Sequence, residues 1–327
     1  MKKGILDRLA EGPVLGDGGY LLELEQRGWV RAGPFTPEVA LNRPEALHEL
    51  HVEFREAGAE VLQALTFYAS RDKLATVGLA DRLEELNRAA IRIAKLAAAD
   101  RCLVAGNLSL TWMYDPKDPA SRDRVRRLFD EQLAVMTDEG VDFIIGETFS
   151  WTGEALLAVE RIRAVRLPAM VTLCFENTEV TPEGQTPGEA ARLLADAGAD
   201  IVGINCLRNP ENTLPLLRQM REAIRGYLAA QPAAFRTPPG KPDFTSLPEF
   251  PLGLEPLQLS RQAMADYAVA ARDMGVNYIG ACCGASPAHI RAMAEALGKR
   301  APDTRVWKRG GARPMSAYEY YRHEDKG

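Results

Sequence analysis

Long apolar runs are missing from this 327-residue chain: no stretch reaches the roughly 18 uninterrupted apolar residues that a membrane helix needs. The opening segment, MKKGILDRLAEGP, has two lysines but no greasy centre, and Asp7, Arg8 and Glu11 stand where a secretory leader would be apolar. A basic excess is lacking too. A net charge of −5 and a pI near 5.6 argue against a nucleic-acid or anionic-membrane surface. The cluster Arg124, Arg126, Arg127 sits at helical spacing among acids and reads as a solvated helix face. Cysteine is scarce and odd in number, five in a chain large enough to do without staples, so disulfides are not expected. These absences lead us to expect a soluble cytoplasmic protein with reduced thiols and small-molecule partners, not nucleic acid or membrane.

What is present is a rhythm. Short, mostly apolar runs bounded by turn residues suit buried parallel strands: Val14–Asp17, Glu60–Leu65, Leu103–Asn107, Asp142–Glu147, Ala169–Cys174, Ile201–Cys206 and Tyr278–Cys283. Between them lie amphipathic helical stretches, such as 44–57 with Ala46, Leu47, Leu50, Phe54 and Ala57 on one face. Gly140, Gly198 and Gly275 each end a helix just before a strand, one junction used three times. An eighth strand must fall between Cys206 and Tyr278, and Ala233–Thr237 is the best candidate. The Pro-rich stretch 238–256 reads as a long loop on the functional rim. No G-x-G-x-x-G follows the first strand, so eight βα units fit an α/β (β/α)₈ TIM barrel better than an open dinucleotide-binding sheet. The barrel is expected over residues 1–300, with 301–327 a C-terminal tail or packing arm.

Barrel chemistry comes from the C-terminal ends of strands. Those positions hold Asp17, Asn107, Glu147, Cys206, Cys282 and Cys283, so three of the five cysteines fall at two strand ends. Three thiolates would make a zinc site with its fourth position open, and no four-ligand CxxC pairing is present to suggest a closed structural site. Gly280 and Gly284 flank the adjacent pair and permit the sharp bend it needs. Spacing alone leaves core-filling cysteines as an equal reading. Cys102 and Cys174 lack companions and read as core; His289 reads as a cap or surface residue; His48, His51 and His323 carry no ligand spacing. A thiolate-rich zinc is a poor Lewis acid for hydrolysis but can take up a substrate thiol and strip its proton, which points to sulfur alkylation. Asp17, within Gly16-Asp17-Gly18-Gly19, could grip an amino acid, its carboxylate on the ammonium and the backbone amides on the carboxylate; Glu147 could share the ammonium.

These residues resemble the homocysteine S-methyltransferase family, and within it the betaine–homocysteine methyltransferases. The resemblance runs from Gly16-Asp17-Gly18-Gly19 through Gly33-Pro34-Phe35-Thr36-Pro37-Glu38, Thr66-Phe67-Tyr68-Ala69-Ser70 and Gly203-Ile204-Asn205-Cys206 to Gly280-Ala281-Cys282-Cys283-Gly284. Leu247-Pro248-Glu249-Phe250-Pro251 and its continuation to Pro256 point to the betaine branch. The resemblance implies a (β/α)₈ barrel with Zn²⁺ on Cys206, Cys282 and Cys283, and Asp17, Gly18, Gly19 and Glu147 around homocysteine, the two carboxylates forming the catalytic site. It also implies a supporting role for Asn205 beside the zinc strand, and methyl transfer from an onium donor to give methionine, without folate or cobalamin.

The donor pocket departs from the family pattern. Phe67 and Tyr68 of the cation-binding aromatics are kept, but Phe35 stands where the pattern has Trp, Thr148 where it has Tyr, and Ala64 where it has Thr. Betaine is the first expectation for the donor; a sulfonium such as S-methylmethionine or a dimethylsulfonio acid is the alternative. A non-catalytic zinc- or homocysteine-binding barrel is the reading from another class. The long C-terminal arm that longer betaine enzymes use for oligomerisation is shortened here, so a homo-oligomer is allowed but a tetramer is not implied.

Overall fold

A computed structural model describes residues 2–31 and 36–300. Phe35 and the expected arm at 301–327 lie outside the described residues. Eight parallel strands alternate with helices: β1 (Val14–Leu15), β2 (Val61–Gln63), β3 (Leu103–Ser109), β4 (Phe143–Phe149), β5 (Ala169–Leu173), β6 (Ile201–Asn205), β7 (Tyr227–Gln231) and β8 (Tyr278–Ile279). Each strand from β2 to β8 pairs with the next, and β8 pairs with β1 through Val14–Tyr278 and Leu15–Ile279. Glu60 bridges the seam between β1 and β2: its N–H donates to Leu15 O at 2.8 Å, and its carboxylate accepts from Leu15 N at 2.9 Å. The result is the nearly closed (β/α)₈ barrel that the alternating pattern implied.

The helix Pro44–Ala57 occupies the expected span, with Ala46, Leu47, Leu50, Phe54 and Ala57 buried and His51 buried among them. Gly140, Gly198 and Gly275 have φ of 66°, 96° and 87°, the left-handed conformation that ends a helix and starts the next strand within a few residues.

One strand is not where the pattern put it. The strand between Cys206 and Tyr278 is β7, Tyr227–Gln231, not Ala233–Thr237. Its run Leu-Ala-Ala-Gln lacks the β-branched residues that mark strands. β6 approaches so closely that a Cβ on Gly203 would lie 2.0 Å from Ala229 O. Phe235, which made the later segment look strand-like, instead packs against Phe244 at 5.0 Å over the barrel mouth and makes an isolated antiparallel bridge with Gln258.

Strand alternation divides the core in two. Val14, Val61, Leu103, Ala105, Phe143, Ile145, Met170, Ile201, Ala229 and Tyr278 fill the barrel interior, closed from below by Ile5 and Leu9 of the helix Ile5–Glu11. Their neighbours along the same strands, such as Leu62, Val104, Ile144, Val202 and Leu228, pack outward against the helices. Among the described residues no helix is long and apolar enough to cross a membrane.

The tight β6–β7 approach gives a direct test. Gly203→Ala forces a methyl group into backbone and should cost about 1–3 kcal/mol, read from urea unfolding; a change under about 0.5 kcal/mol, the scale of a neutral surface substitution, would contradict the described packing.

Candidate metal and substrate site

Two residues beyond the apolar interior positions, the same inward phase turns polar. Val61 is followed by Gln63, Ala105 by Asn107, Ile145 by Glu147, Gly203 by Asn205, Ala229 by Gln231, and Gly280 by Cys282. The lower barrel is therefore a packed plug and the upper rim a ring of functional groups, as expected for the C-terminal face of such a barrel. A cavity of about 380 Å³ opens above the ring, a size suited to small molecules.

Strict alternation would send the residue after each inward one outward, into the helix layer. At two strand ends the backbone breaks that rule. Cys206 follows Asn205 and Thr148 follows Glu147, yet both line the cavity, and both take left-handed φ values, 56° and 62°. Such conformations cost non-glycine residues about 1–3 kcal/mol each, so the surroundings must hold them. Cys206 N–H donates to Gln231 O at 2.8 Å. Thr148 is held on two sides by Asn205, whose Oδ1 accepts from Thr148 N at 2.8 Å and whose Nδ2 donates to Thr148 Oγ1 at 2.7 Å. At the third strand end, β8 stops at Ile279 and the chain turns through Cys282 and Cys283, with Ala285 N–H donating to Cys282 O at 3.1 Å. Gly284 completes the turn at φ 81°, where a Cβ would strike the Phe235 ring at 2.6 Å.

The three sulfurs converge. The Sγ atoms of Cys206, Cys282 and Cys283 all lie within 4.8 Å of one another, with Cys206 and Cys283 at 3.5 Å, and all three line the cavity. Metal–sulfur bonds near 2.3 Å at tetrahedral angles put ligand sulfurs about 3.8 Å apart, so the trio fits one ion with a position left open. As thiols they share protons unevenly: hydrogen bonds from the β8 pair hold Cys206 well below its ordinary pKa, and sharing those bonds with Cys206 holds Cys282 and Cys283 well above theirs.

Glu147 lines the same cavity as this cluster. Its Oε1 accepts from Gln63 Nε2 at 2.5 Å and Asn107 Nδ2 at 2.6 Å, and its Oε2 accepts from Asn205 Nδ2 at 3.1 Å. Burial pushes its pKa up to about 7, against the lowering effect of the Asn107 bond.

Asp17 is placed differently from the sequence expectation. It is buried below the cavity surface, and its Oδ2 accepts from Tyr20 OH at 2.6 Å and Gln63 N at 2.7 Å. Burial raises its pKa to about 6. Tyr20, which does line the cavity, also meets His51 Nδ1 at 2.8 Å. Gly18 and Gly19 line the cavity as expected, but the Gly19 N–H is donated to Ala285 O at 3.1 Å, so that amide is taken. These two glycines serve close packing: a Cβ on Gly18 would lie 2.6 Å from Ala285 O, and one on Gly19 2.7 Å from Cys282 O. They let the β1 loop press against the cysteine turn.

Phe67 and Tyr68 form an edge-to-face pair, 4.7 Å between centroids, on the cavity wall, near Ala64 and Thr148. The 238–256 stretch covers the mouth with Phe244, Thr245, Phe250 and Pro251, as its position on the rim suggested. Asn205 does not line the cavity; it braces Glu147 and Thr148 from behind and also accepts from Thr172 Oγ1 at 2.8 Å. Cys102 and Cys174 are core residues. His289 is a cap, accepting from Ser286 N at 3.0 Å, and it is buried, not at the surface. Sequence reasoning missed Gln63, Gln231 and Tyr20. The first two carry a readable signal, since each lies two residues beyond a buried interior position; Tyr20, on the β1 loop, has none.

Asn205→Ala would leave Thr148 N–H and the Glu147 and Thr172 groups short of partners. A loss of about 1–3 kcal/mol in unfolding free energy is expected, and an unchanged denaturation midpoint would contradict the bracing role.

Comparison with known proteins agrees with this geometry. A sequence profile described as homocysteine S-methyltransferase matches residues 14–297. Betaine–homocysteine S-methyltransferase 1 of Bos taurus is 44% identical over 313 residues, 91% of this chain and 75% of the relative. The S-methylmethionine–homocysteine S-methyltransferase of Mus musculus is 43% identical over 308 residues, 90% of this chain and 82% of the relative. In fold, the metallated form of the homocysteine methyltransferase MmuM from Escherichia coli superposes with a TM-score of 0.70 at 22% identity, covering 86% of this chain and 95% of that one. A (β/α)₈ barrel carrying three converging cysteines and matched over this length is a methyltransferase of the homocysteine S-methyltransferase family.

Proposed function

We propose that this protein transfers a methyl group from an onium donor, betaine in the first place, to the thiol of homocysteine, giving methionine, with Zn²⁺ held by Cys206, Cys282 and Cys283. The observation that carries this reading is that three thiols, a buried carboxylate and an aromatic pair all line one cavity. Zinc on three thiolates would supply a site for the substrate thiol, lower its pKa and keep the sulfur nucleophilic at neutral pH. The chain's own residues orient both substrates. Glu147, gripped by Gln63, Asn107 and Asn205, presents its carboxylate to the amino-acid ammonium. Asp17 adds negative potential from one layer behind, through Tyr20 and Gln63. Phe67 and Tyr68 offer π surface to the donor's cation, and the rim segment with Phe250 and Pro251 keeps water away from it. In the transfer a sulfur–carbon bond forms as the nitrogen–carbon bond breaks. The electron pair leaves with the amine, which becomes neutral, and the thiol proton is released.

A sulfonium donor is the second reading. Ala64 and Thr148 leave the wall beside the aromatic pair small and partly polar, which would suit a smaller or longer onium than trimethylammonium. The two relatives differ by one point of identity, so overall similarity does not separate the donors.

The test is methionine formation by the purified, zinc-loaded chain with homocysteine and, in parallel, betaine, S-methylmethionine and dimethylsulfoniopropionate. Turnover with betaine above the others supports the first reading, turnover with a sulfonium supports the second, and none with any donor contradicts both. Cys206→Ala and Cys283→Ala should each lose zinc on dialysis and methionine formation together; full activity in either would rule out the three-thiolate site. Tyr68→Ala should raise the donor KM about tenfold, the order of one desolvated cation–π contact, with a smaller change for homocysteine; equal changes would place Tyr68 outside the donor pocket.

A further inference from the structure

Lys73, on the helix Arg71–Ala75, is fully buried. An ammonium out of water normally pairs with a carboxylate, yet this one makes no ion pair among the described residues. Its Nζ donates to Ser109 Oγ at 2.9 Å and reaches Phe67 O at 3.5 Å. Three rings stand around it, with Nζ 5.1 Å from the Phe67 centroid, 5.0 Å from Tyr68 and 5.7 Å from Trp112, and the carboxylates of Asp72 and Glu154 act on it without forming an ion pair. Ser109 Oγ also donates to Phe67 O, so one hydroxyl ties the lysine, the end of β3 and the Phe67 backbone together. Phe67 and Tyr68 are the rings that line the cavity, whereas Lys73 does not line it. A cation caged by aromatic faces is thus built in behind the wall that the donor's cation would meet.

We propose that Lys73 is a positioning and selectivity residue of the donor pocket: it fixes Phe67 and Tyr68, and its charge disfavours plain cations against onium donors that carry their own carboxylate. The inference rests on the onium reading of the cavity. With Nζ about 5 Å from each ring centroid, a cation stacked on the opposite, cavity side of a ring would sit roughly 8–10 Å from it. At the effective dielectric of a buried site, an uncompensated charge there would weaken binding by up to roughly ten- to thirtyfold, of which Asp72 and Glu154 offset a part. A zwitterion such as betaine carries an anion a few bonds from its cation, which offsets most of the penalty. The same two rings that attract any quaternary ammonium are in this way biased toward the amino-acid-like ones.

The experiment is calorimetric binding of tetramethylammonium and of betaine to the full-length chain, native and as Lys73→Met and Lys73→Arg. Lys73→Met should tighten tetramethylammonium about tenfold and change betaine less than threefold, while Lys73→Arg should keep the native ratio. Equal shifts for the two ligands, or no gain for tetramethylammonium, overturn the proposal. A purely structural lysine would weaken both ligands together.

Should Lys73→Met fail to fold, the native protein supplies the same test between pH 7.5 and 9.5. Burial pushes Lys73 down to about 8, so its charge is lost as pH rises through that value, and tetramethylammonium should gain on betaine. The other groups facing it are Asp72 on its own helix, Glu154 from the helix Thr152–Ala164 and the Tyr68 hydroxyl. Burial pushes Tyr68 up to about 12, above the window, and Glu154 up to about 7, at its lower edge, so the ratio is read from pH 8 upward. A ratio that stays flat across the window overturns the proposal. Failure of the underlying onium reading would show separately, as no methionine from any donor.

Discussion

The structure depends on where the barrel's alternation is kept and where it is broken. Kept, it packs Val61, Ala105, Ile145 and their neighbours into an apolar plug and lines up Gln63, Asn107 and Glu147 directly above it. Broken at Cys206 and Thr148, it returns to the cavity two side chains that would otherwise face the helices. The cysteine cluster needs both. Cys282 arrives on the inward phase of β8, Cys206 arrives by a left-handed residue after β6, and Cys283 arrives by a turn that Gly284 completes. Three thiols within 4.8 Å of one another could not all ionise without a cation among them, so their chemistry suits one.

The polar ring illustrates how a buried carboxylate is kept usable. Glu147 receives three amide donors from three different strands, which fixes its orientation while burial keeps its pKa near 7. Asn205 spends all of its hydrogen-bonding capacity on Glu147, Thr148 and Thr172, so it serves geometry and leaves nothing for a ligand. Asp17 is likewise engaged with Tyr20 and β2. Among the described residues the cavity thus has one carboxylate at its surface and a second held behind it, together with an aromatic pair on its wall. Lys73 behind that wall is the counterweight that keeps the pair from accepting every cation.

Most of the fold was legible because parallel strands buried on both faces advertise themselves as apolar runs, and the left-handed glycines 140, 198 and 275 mark their starts. The cysteine trio was legible as residue types at strand ends. The seventh strand was not, since its Leu228-Ala229-Ala230-Gln231 run has no β-branched residue to signal a strand. Gln63 and Gln231 were hidden for a different reason: amides are common at strand ends, and only the inward phase separates a ligand-facing one from a solvated one. Nothing in the sequence singles out Lys73; the packing of Phe67, Tyr68 and Trp112 around it does. The glycines after Asp17 were read as amide donors, while their main constraint is the backbone of the cysteine turn pressed against them.

The most direct measurement of the central claim is X-ray absorption at the zinc edge of the full-length protein, with and without homocysteine. The account predicts three sulfur neighbours at about 2.3 Å in the free protein and a fourth at the same distance when homocysteine is added. A sulfur count that does not rise on adding homocysteine, or fewer than three sulfurs at the outset, would contradict it.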